Sequence, residues 1–369
     1  MRKTIVISAV NIRKGGTLTI LRECLNYLSG IAGEWNIVAL VHDKSLCEFP
    51  GIEYIEIPST IKGWGRRLWC EYVTMEGISK DLARKYGSKV YLWLSLHDTT
   101  PRVEAEHRAV YCQTSFPFLK WHLRDLRMDP KIPLFALFTK YAYRINVHSN
   151  DWLIVQAQWL REGLGKMLDF SQERIIVAPV EAKLSNVVGQ PSEGAPFTFI
   201  YPASPDCHKN FETLCEAARM LEAEYGSGKF KVQLTVSGEE NRYARWLMSH
   251  WGDVSSINWN GKMSREELFK CYGSSDCLVF PSRVETWGLP LSEFLPTGKP
   301  MIVSDLPFAH ETTAGASEVA FFNPESATAL KDKMRRALSG DLSAFAPVSG
   351  KDIVPPVARS WEEIFRILL

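Results

Sequence analysis

The fold of the second half of the chain is decided by one stretch, Phe280-Pro-Ser-Arg-Val-Glu-Thr-Trp-Gly-Leu-Pro-Leu-Ser-Glu293. An apolar run ends at Phe280, a loop with glycine and proline follows, and a helical pattern begins near residue 289. A strand, loop and helix in this order bring loop amides and a helix N-terminus to the carboxyl edge of a parallel sheet, where they can hold an anion. Glu285 lies in the loop and Glu293 on the helix. The structural alternative is that one carboxylate caps the helix and the other is solvated.

Short apolar runs alternate with helical patterns on both sides of this stretch. The strands are continuously apolar, which is typical of a parallel sheet covered on both faces. The alternation predicts a doubly wound domain. We expect its strands at 197–201, 232–236, 257–259, 277–280 and 301–303, and its helices at 211–225, 243–251, 266–272 and 289–295.

The first half of the chain has the same organisation. It opens with a βαβ unit, in which Gly15 and Gly16 follow the first strand and open a helix. This half is therefore also predicted to be an α/β layer structure. We expect its strands at 4–10, 36–41, 52–57, 90–96, 109–112, 152–156 and 174–178.

The pattern fails between residues 181 and 196, which are polar, contain glycine and proline, and have no sustained period. We interpret this stretch as a linker. The predicted organisation is an N-terminal domain at 1–180, the linker at 181–196, a C-terminal domain at 197–354 and a C-terminal helix at 355–369. Ser360 is the expected cap of that helix, which we expect to pack back on the first domain.

Composition excludes several classes of protein. The chain has 369 residues with 43 Lys and Arg against 42 Asp and Glu, and this balance argues against a protein that binds nucleic acid through its phosphates. No apolar run approaches the length of a membrane-spanning helix, and the apolar N-terminus is interpreted as a first strand, not an export signal. The 8 cysteines are scattered without metal-ligand spacing, which favours reduced thiols in the cytoplasm.

Taken whole, residues 280–305 resemble the Glu-x7-Glu signature of the retaining GT-B glycosyltransferases, the glycosyl transferases group 1, which include sucrose synthase and many bacterial mannosyl- and glucosyltransferases. The departures from the family pattern are Thr286 in place of glycine and Pro296 in place of a small residue. The resemblance implies a GT-B fold, in which two Rossmann-like domains face each other across a cleft. The matching residues are Pro281, Ser282, Glu285, Gly288, Leu289, Pro290, Glu293, Gly298 and Pro300, with Trp287 in place of phenylalanine.

The resemblance also implies roles for the residues of this signature. Glu285 would contact hydroxyls of the donor sugar, and Glu293 would hold the ribose hydroxyls of a nucleotide sugar. The amides from Trp287 through Gly288 to Leu289, beside Thr286, would approach the sugar and the phosphate.

A second matching segment, residues 201–211, resembles the loop that carries the family's diphosphate-binding lysine. Lys209 fits that lysine. The arginine that the family usually has five residues earlier is replaced by Ser204, so one positive charge is missing. His208, or a basic residue from the other domain, is the candidate replacement. Taken alone, Lys209 would be a surface lysine at a helix N-terminus.

Further candidates lie where the family's fold places donor or acceptor groups. Gly238, Gly261 and Lys262 would lie near the nucleotide base and ribose, although strand-end glycines are usually turns. Gly15 and Gly16 would face the donor phosphates. The pair His97 and Asp98 would touch the donor sugar or the acceptor, although the family's pair often comes one strand later.

Two stretches combine basic and aromatic residues, 62–69 and 116–127. Such surfaces suit an anionic bilayer or a polyprenyl-diphosphate-linked acceptor. The alternative for each stretch is a helix with a half-buried aromatic face.

The resemblance implies a retaining, metal-independent transfer of a hexose or deoxyhexose, mannose being favoured, from a nucleotide-diphosphate sugar to a glycan or lipid-linked acceptor. The expected setting is bacterial surface polysaccharide biosynthesis, lipopolysaccharide or O-antigen included, in the cytoplasm or at the inner face of the plasma membrane. No cofactor or metal is expected, since no Asp-x-Asp stands at a strand end. The alternatives are an epimerase or phosphorylase of this fold, and a catalytically silent protein that binds a glycan or a partner.

Overall fold

The computed structural model describes residues 2–179, 194–350 and 352–369. They form two all-parallel β-sheets with helices, so the predicted α/β class is confirmed. The chain divides into two compact units. The first unit comprises Met1–Thr114, Phe138–Val180 and Ile353–Leu369, and the second comprises Ser115–Leu137 and Glu181–Asp352. Residues 181–193 of the predicted linker lie outside the described residues.

Helices of the described residues are numbered along the chain. They are α1 (Gly15–Gly30), α2 (Trp64–Trp69), α3 (Met75–Tyr86), α4 (Leu123–Met128), α5 (Lys131–Arg144), α6 (Gln158–Leu168), α7 (Phe211–Tyr225), α8 (Arg242–Trp251), α9 (Arg265–Ser274), α10 (Leu289–Phe294), α11 (Pro307–Thr312), α12 (Ala327–Leu338) and α13 (Trp361–Leu368).

In the described residues, the sheet of the first unit has seven parallel strands in the order β3-β2-β1-β4-β5-β6-β7. Every residue of β1 is buried, because helices cover both faces of a parallel sheet. The strands are β1 (Thr4–Ala9), β2 (Asn36–Val41), β3 (Ile52–Glu56), β4 (Val90–Ser95), β5 (Ala105–Tyr111), β6 (Trp152–Val155) and β7 (Ile175–Val177).

The C-terminal helix α13 belongs to the core of the first unit. Ser360 caps it, since the Oγ of Ser360 accepts a hydrogen bond from the amide of Glu363 at 3.2 Å. Phe365 is fully buried and stacks on Tyr27 of α1 with the ring centroids 5.4 Å apart. Burying a phenylalanine side chain contributes about 1.5–3 kcal/mol, so α13 is an integral layer of this unit.

The part of the second unit that the structure describes has a sheet of six parallel strands in the order β10-β9-β8-β11-β12-β13. The sequence predicted five of them and missed β13, because its four apolar residues carry no periodicity that separates a strand from a buried helix. The strands are β8 (Phe197–Tyr201), β9 (Phe230–Leu234), β10 (Ile257–Trp259), β11 (Cys277–Phe280), β12 (Met301–Ser304) and β13 (Val319–Phe322).

The segment Ser115–Leu137 groups with the second unit, although the predicted boundaries assigned it to the N-terminal domain. Ion pairs between this segment and other residues of the second unit explain this grouping. Asp125 of α4 pairs with Arg283 at 2.9 Å, and the neighbouring Arg124 pairs with Glu212. We refer to Ser115–Leu137 as the inserted segment.

Candidate functional site

Lys209 and Glu285 lie together at the carboxyl edge of the second sheet. Lys209 follows β8 and Glu285 follows β11, and these two strands are paired in parallel. The Nζ of Lys209 donates a hydrogen bond to Oε1 of Glu285 at 2.6 Å, and the two side chains are only 17% and 12% exposed. The structure therefore brings together the two residues that the sequence analysis placed at the donor diphosphate and the donor sugar.

Buried hydrogen bonds fix the two loops that carry this pair. The hydroxyl of Tyr201 donates to the carbonyl oxygen of Lys209 at 2.8 Å and lies 2.9 Å from the Oγ of Ser282. The amide nitrogen Nδ2 of Asn210 donates to the carbonyl oxygens of Pro281 and Pro324 at 3.0 and 2.9 Å. These groups preorganise the site, because their positions are set before any ligand binds.

Gly288 makes the turn into α10. Its φ of +89° lies in the left-handed region, and a Cβ there would approach Cδ1 of Leu291 to 3.3 Å. Trp287 is held on both sides, since its Nε1 donates to Oγ of Ser292 at 2.8 Å and its carbonyl oxygen accepts from Thr312. Thr286, Trp287 and Gly288 are partly or fully buried, and Leu289 is 40% exposed.

Glu293 lies on α10 with its side chain only 12% exposed. Its Oε2 accepts a hydrogen bond from the buried hydroxyl of Tyr272 at 3.2 Å, and Nη2 of Arg265 lies 3.5 Å from Oε1. Desolvation by burial raises the pKa of the Glu293 carboxyl above its usual range. The carboxylate thus has room on its oxygens for further donors, such as hydroxyl groups.

Neither His208 nor Ser204 supplies the missing positive charge. Burial, together with the charges of Lys209 and Arg283, holds the pKa of His208 well below its ordinary value, so this imidazole is neutral at pH 7. The Oγ of Ser204 donates to Oδ2 of Asp206 at 2.6 Å. Of Ser204, His208 and Lys209, only Lys209 therefore carries a positive charge.

The strand-end glycines of the second unit form turns. The carboxylate of Glu240 accepts hydrogen bonds from the amides of Ser237 and Gly238 at 2.6 and 3.1 Å, so these amides already hold an anion. Gly261 follows β10 with a φ of +72°, and Lys262 beside it is exposed.

In the first unit, Gly15 and Gly16 are exposed at the start of α1. Gly15 has a φ of +72°, a conformation that favours glycine, and the preceding Lys14 makes no side-chain capping bond. The first amides of α1 consequently face outward at the carboxyl edge of the first sheet.

His97 follows β4 and is fully buried. Its Nε2 lies 3.0 Å from Oγ of both Ser8 and Ser95, and its Nδ1 lies 3.1 Å from Oγ1 of Thr99 and 3.3 Å from Oε1 of Glu71. Burial lowers the pKa of this imidazole to about 4, against the attraction of Glu71. In this arrangement both ring nitrogens of His97 are occupied by groups of the protein.

Asp98 binds the backbone that follows β5. It adopts a left-handed φ of +70°, and its Oδ1 accepts from the amides of Gln113 and Thr114, the latter at 3.1 Å. Burial raises the pKa of its carboxyl. Asp98 is thus a loop anchor in this structure.

The sequence analysis missed several buried charged groups, and three of them contact residues of the loops described above. Arg283 lies inside the quoted signature and Asp125 inside the 116–127 stretch, yet neither was assigned a role. Glu71 lies in a π-helical turn over Cys70–Thr74, where its carboxylate accepts from Arg67 and Thr99, both at 2.7 Å. Arg67 and Glu71 are four residues apart, a spacing that predicts an ion pair on a helix, and this spacing could have identified Glu71.

Within residues 2–179, 194–350 and 352–369, no group of three or more His, Cys, Asp or Glu residues is arranged to hold a metal ion. No helix in the described part of the chain is long and apolar enough to cross a membrane.

Residues 188–345 match the model of the family described as glycosyl transferases group 1. This region contains both loops of the candidate site, and its match to the family model confirms the resemblance to glycosyl transferases group 1 seen in the sequence. A curated relative is the GtfA subunit of the UDP-N-acetylglucosamine–peptide N-acetylglucosaminyltransferase of Streptococcus pneumoniae, 23% identical over 207 residues. The match covers 55% of this chain, and the chain spans only 40% of the relative's length.

Solved structures share the fold over nearly the whole chain. Sucrose-phosphate synthase of Thermosynechococcus elongatus is 16% identical with a TM-score of 0.62, covering 100% of this chain and 95% of its own. The lipopolysaccharide outer core galactosyltransferase WaaB is 14% identical with a TM-score of 0.60, covering 92% and 91%. HepE of Anabaena, in complex with UDP and glucose, is 11% identical with a TM-score of 0.59, covering 92% and 91%. These likenesses confirm the predicted GT-B fold.

Proposed function

We propose that the chain is a retaining glycosyltransferase that transfers a hexose or deoxyhexose from a nucleotide-diphosphate sugar to a glycan or lipid-linked acceptor. The observation that carries this proposal is the 2.6 Å contact between Lys209 and Glu285, at the carboxyl edge of the sheet in the family-matched region. Such a pair offers a cation to a diphosphate and a carboxylate to sugar hydroxyls.

The proposed chemistry depends on Lys209 and not on a metal ion. When the glycosidic bond breaks, negative charge grows on the β-phosphate, and the ammonium of Lys209 stabilises it together with loop amides near Gly288. Glu285 orients the donor sugar. Retention of configuration would follow from a front-face attack, in which the leaving phosphate helps to deprotonate the acceptor.

The test of the proposal is a panel of nucleotide sugars, with GDP-mannose first, incubated with the purified protein. We expect slow hydrolysis of one donor, with the sugar released in the anomeric configuration of that donor when followed early by NMR. Release of the opposite anomer would contradict retention. An epimerised nucleotide sugar would favour the epimerase alternative, and dependence on phosphate as acceptor would favour a phosphorylase.

A catalytically silent binding protein is a second candidate, favoured by the hydrogen bond between Ser204 and Asp206. Here a carboxylate stands close to the position of a cation in the family's diphosphate site, and it would weaken diphosphate binding. Binding of a glycan, without hydrolysis or transfer of any nucleotide sugar, would support this second function.

Removing the carboxylate of Glu293 should weaken nucleotide binding. We expect Glu293→Gln to lower the affinity for the nucleoside diphosphate about tenfold, because charged hydrogen bonds to ribose hydroxyls are lost. Gln can still accept the hydrogen bond of Tyr272, so the fold is preserved. Calorimetry with UDP, GDP and ADP measures the effect, and Glu266→Gln on α9, whose side chain is 80% exposed, is the control. Unchanged affinity would remove Glu293 from the site.

We also propose a peripheral contact with the anionic inner face of the plasma membrane. In the first unit, Trp64 and Trp69 are 44% and 66% exposed near the exposed Lys62 and Arg66, whereas Arg67 points inward to Glu71. In the second unit, exposed leucines of α4 and α5 accompany basic residues: Leu123, Leu126, Leu134 and Leu137 with Lys120, Arg127 and Lys131.

Co-sedimentation with liposomes tests this contact. We expect binding to phosphatidylglycerol vesicles at low salt and release as salt screens the attraction, with little binding to phosphatidylcholine vesicles. Trp64→Ser with Trp69→Ser should weaken binding, while the control Lys229→Ser with Lys231→Ser, exposed residues just before and within β9, should not. Equal partitioning onto both kinds of vesicle, or onto neither, would contradict the proposal.

A further inference from the structure

A buried ion pair joins the inserted segment to the signature loop within the second unit. Both nitrogens Nη1 and Nη2 of Arg283 donate to the carboxylate of Asp125 at 2.9 Å, one to each oxygen. The two side chains are only 2% and 1% exposed. This is the bidentate geometry in which an arginine and a carboxylate fix each other's orientation most strongly.

The same arginine also binds the loop that carries Lys209. Nη2 of Arg283 donates to the carbonyl oxygen of Cys207 at 2.8 Å, and its backbone amide donates to the carbonyl oxygen of His208 at 2.8 Å. These two acceptors directly precede Lys209, and Arg283 itself stands two residues before Glu285. Arg283 therefore connects the two loops next to the ion pair that they hold.

The position of Asp125 is fixed by α4. Its Oδ2 accepts from the backbone amide of His122 at 2.8 Å, as a residue in the first turn of a helix can. Two further pairs hold this helix on the second unit. Nε2 of His122 lies 3.0 Å from Oε2 of Glu325, and Arg124 pairs with Glu212, whose carboxylate also accepts from the hydroxyl of Tyr243.

We propose that Asp125 is a positioning residue for the donor site, acting through Arg283 on the Lys209–Glu285 pair. This inference rests on the proposed function and deepens it, because it assigns to a segment from the first half of the chain a part in donor binding. Without Asp125, a buried guanidinium lacks its counter-charge and must move or admit water. Movement of Arg283 would shift the carbonyls before Lys209 and the backbone before Glu285, and small displacements of such groups are costly for turnover.

The test compares Asp125→Asn with Glu222→Gln. Glu222 is a matched control, because its carboxylate accepts from the amides of Ser255 and Ser256 at the opposite edge of the same sheet. Both variants lose a charge and some thermal stability. We expect only Asp125→Asn to weaken UDP or GDP binding and to lower donor turnover, each about tenfold. Asp125→Glu should recover part of the turnover, since it restores the charge.

A double-mutant cycle separates positioning from general loosening of the fold. If Asp125 acts through the Lys209–Glu285 pair, then Asp125→Asn should lower turnover far less in a Lys209→Ala background than in the wild type. Equal losses in both backgrounds would overturn the inference, as would wild-type affinity and turnover of Asp125→Asn. Failure of the wild type to bind any nucleotide would instead overturn the proposed function, and this inference with it.

Discussion

Lys209→Ala is expected to lower donor turnover by about a hundredfold, and to raise the donor KM much less. The reason is that the charge on the β-phosphate grows as the glycosidic bond breaks, so the ammonium binds the transition state more tightly than the bound donor. In the structure without a ligand, this ammonium is already held in the loop by Glu285 and needs little reorganisation. Ser204 cannot take over its role, because it has no charge and is bonded to Asp206.

Steady-state kinetics at saturating donor measures this effect. Lys209→Arg should restore activity only in part, because a planar guanidinium does not occupy the place of a compact ammonium. Ser204→Arg restores the charge that the family usually has there, and it should raise turnover in the wild-type background. Lys231→Ala, which removes an exposed lysine of β9, is the control for a general loss of positive charge. Near wild-type turnover of Lys209→Ala would mean that the diphosphate is held elsewhere.

The grouping of the candidate site residues at one edge of a sheet could be predicted, because most of them are close together along the chain. Glu285, Gly288 and Glu293 lie on one strand, loop and helix, so the spacing alone places them at one edge of a sheet. Lys209 lies on another strand, loop and helix of the same kind. Its strand β8 is the parallel neighbour of β11, and neighbouring parallel strands bring the loops that follow them close together. The repeated order of strand, loop and helix was therefore enough to predict that Lys209 and Glu285 lie close together.

The contact between Asp125 and Arg283 could not be predicted, because 158 residues separate its members and neither lies in a pattern with a fixed spatial meaning. An aspartate in the first turn of a short helix reads as a capping residue, which it also is. Its contact with Arg283 depends on how the inserted segment packs in the second unit. Hydrophobic periodicity predicts helices and strands, but it does not predict how they pack. The assignment of the inserted segment to the second unit was missed for the same reason.

The surroundings of the His97 side chain also could not be predicted from the sequence. From its position after β4 we expected His97 to touch the donor sugar or the acceptor, and the structure shows in addition that it belongs to a buried polar network of the first unit. Glu71 and Arg67 reach it from the helical segment before α3, and Nη2 of Arg67 donates to the carbonyl oxygen of His97 at 2.6 Å. Strand-end placement decides where a backbone lies, whereas the direction of a side chain depends on what surrounds it.

This network leads to a prediction about stability and pH. In the folded protein, burial holds the pKa of His97 at about 4, against an ordinary value of 6.5. Between these two pH values the unfolded chain binds a proton that the folded chain does not, so the free energy of unfolding falls as the pH falls from 6.5 to 4. The contribution of His97 over this window is on the order of 3 kcal/mol. Burial would raise the pKa of Glu71, but the charges and hydrogen bonds around it, those of Arg67 included, hold that pKa below its usual value of 4.5, so Glu71 adds a further loss as the pH falls below 4.5.

Urea unfolding of the wild type and of His97→Gln, from pH 4 to pH 7.5, measures this contribution. Gln can keep hydrogen bonds to Ser8 and Thr99 but cannot take up the proton. We therefore expect the wild type to be the more stable protein at pH 7, and its advantage to shrink through pH 6.5 to 4 because only its unfolded state gains a proton there. His148→Gln, which replaces an exposed histidine of the same unit, should follow the wild-type profile. Parallel pH profiles of the wild type and His97→Gln would contradict this prediction, because they would show that His97 takes up its proton at the same pH in the folded and the unfolded protein.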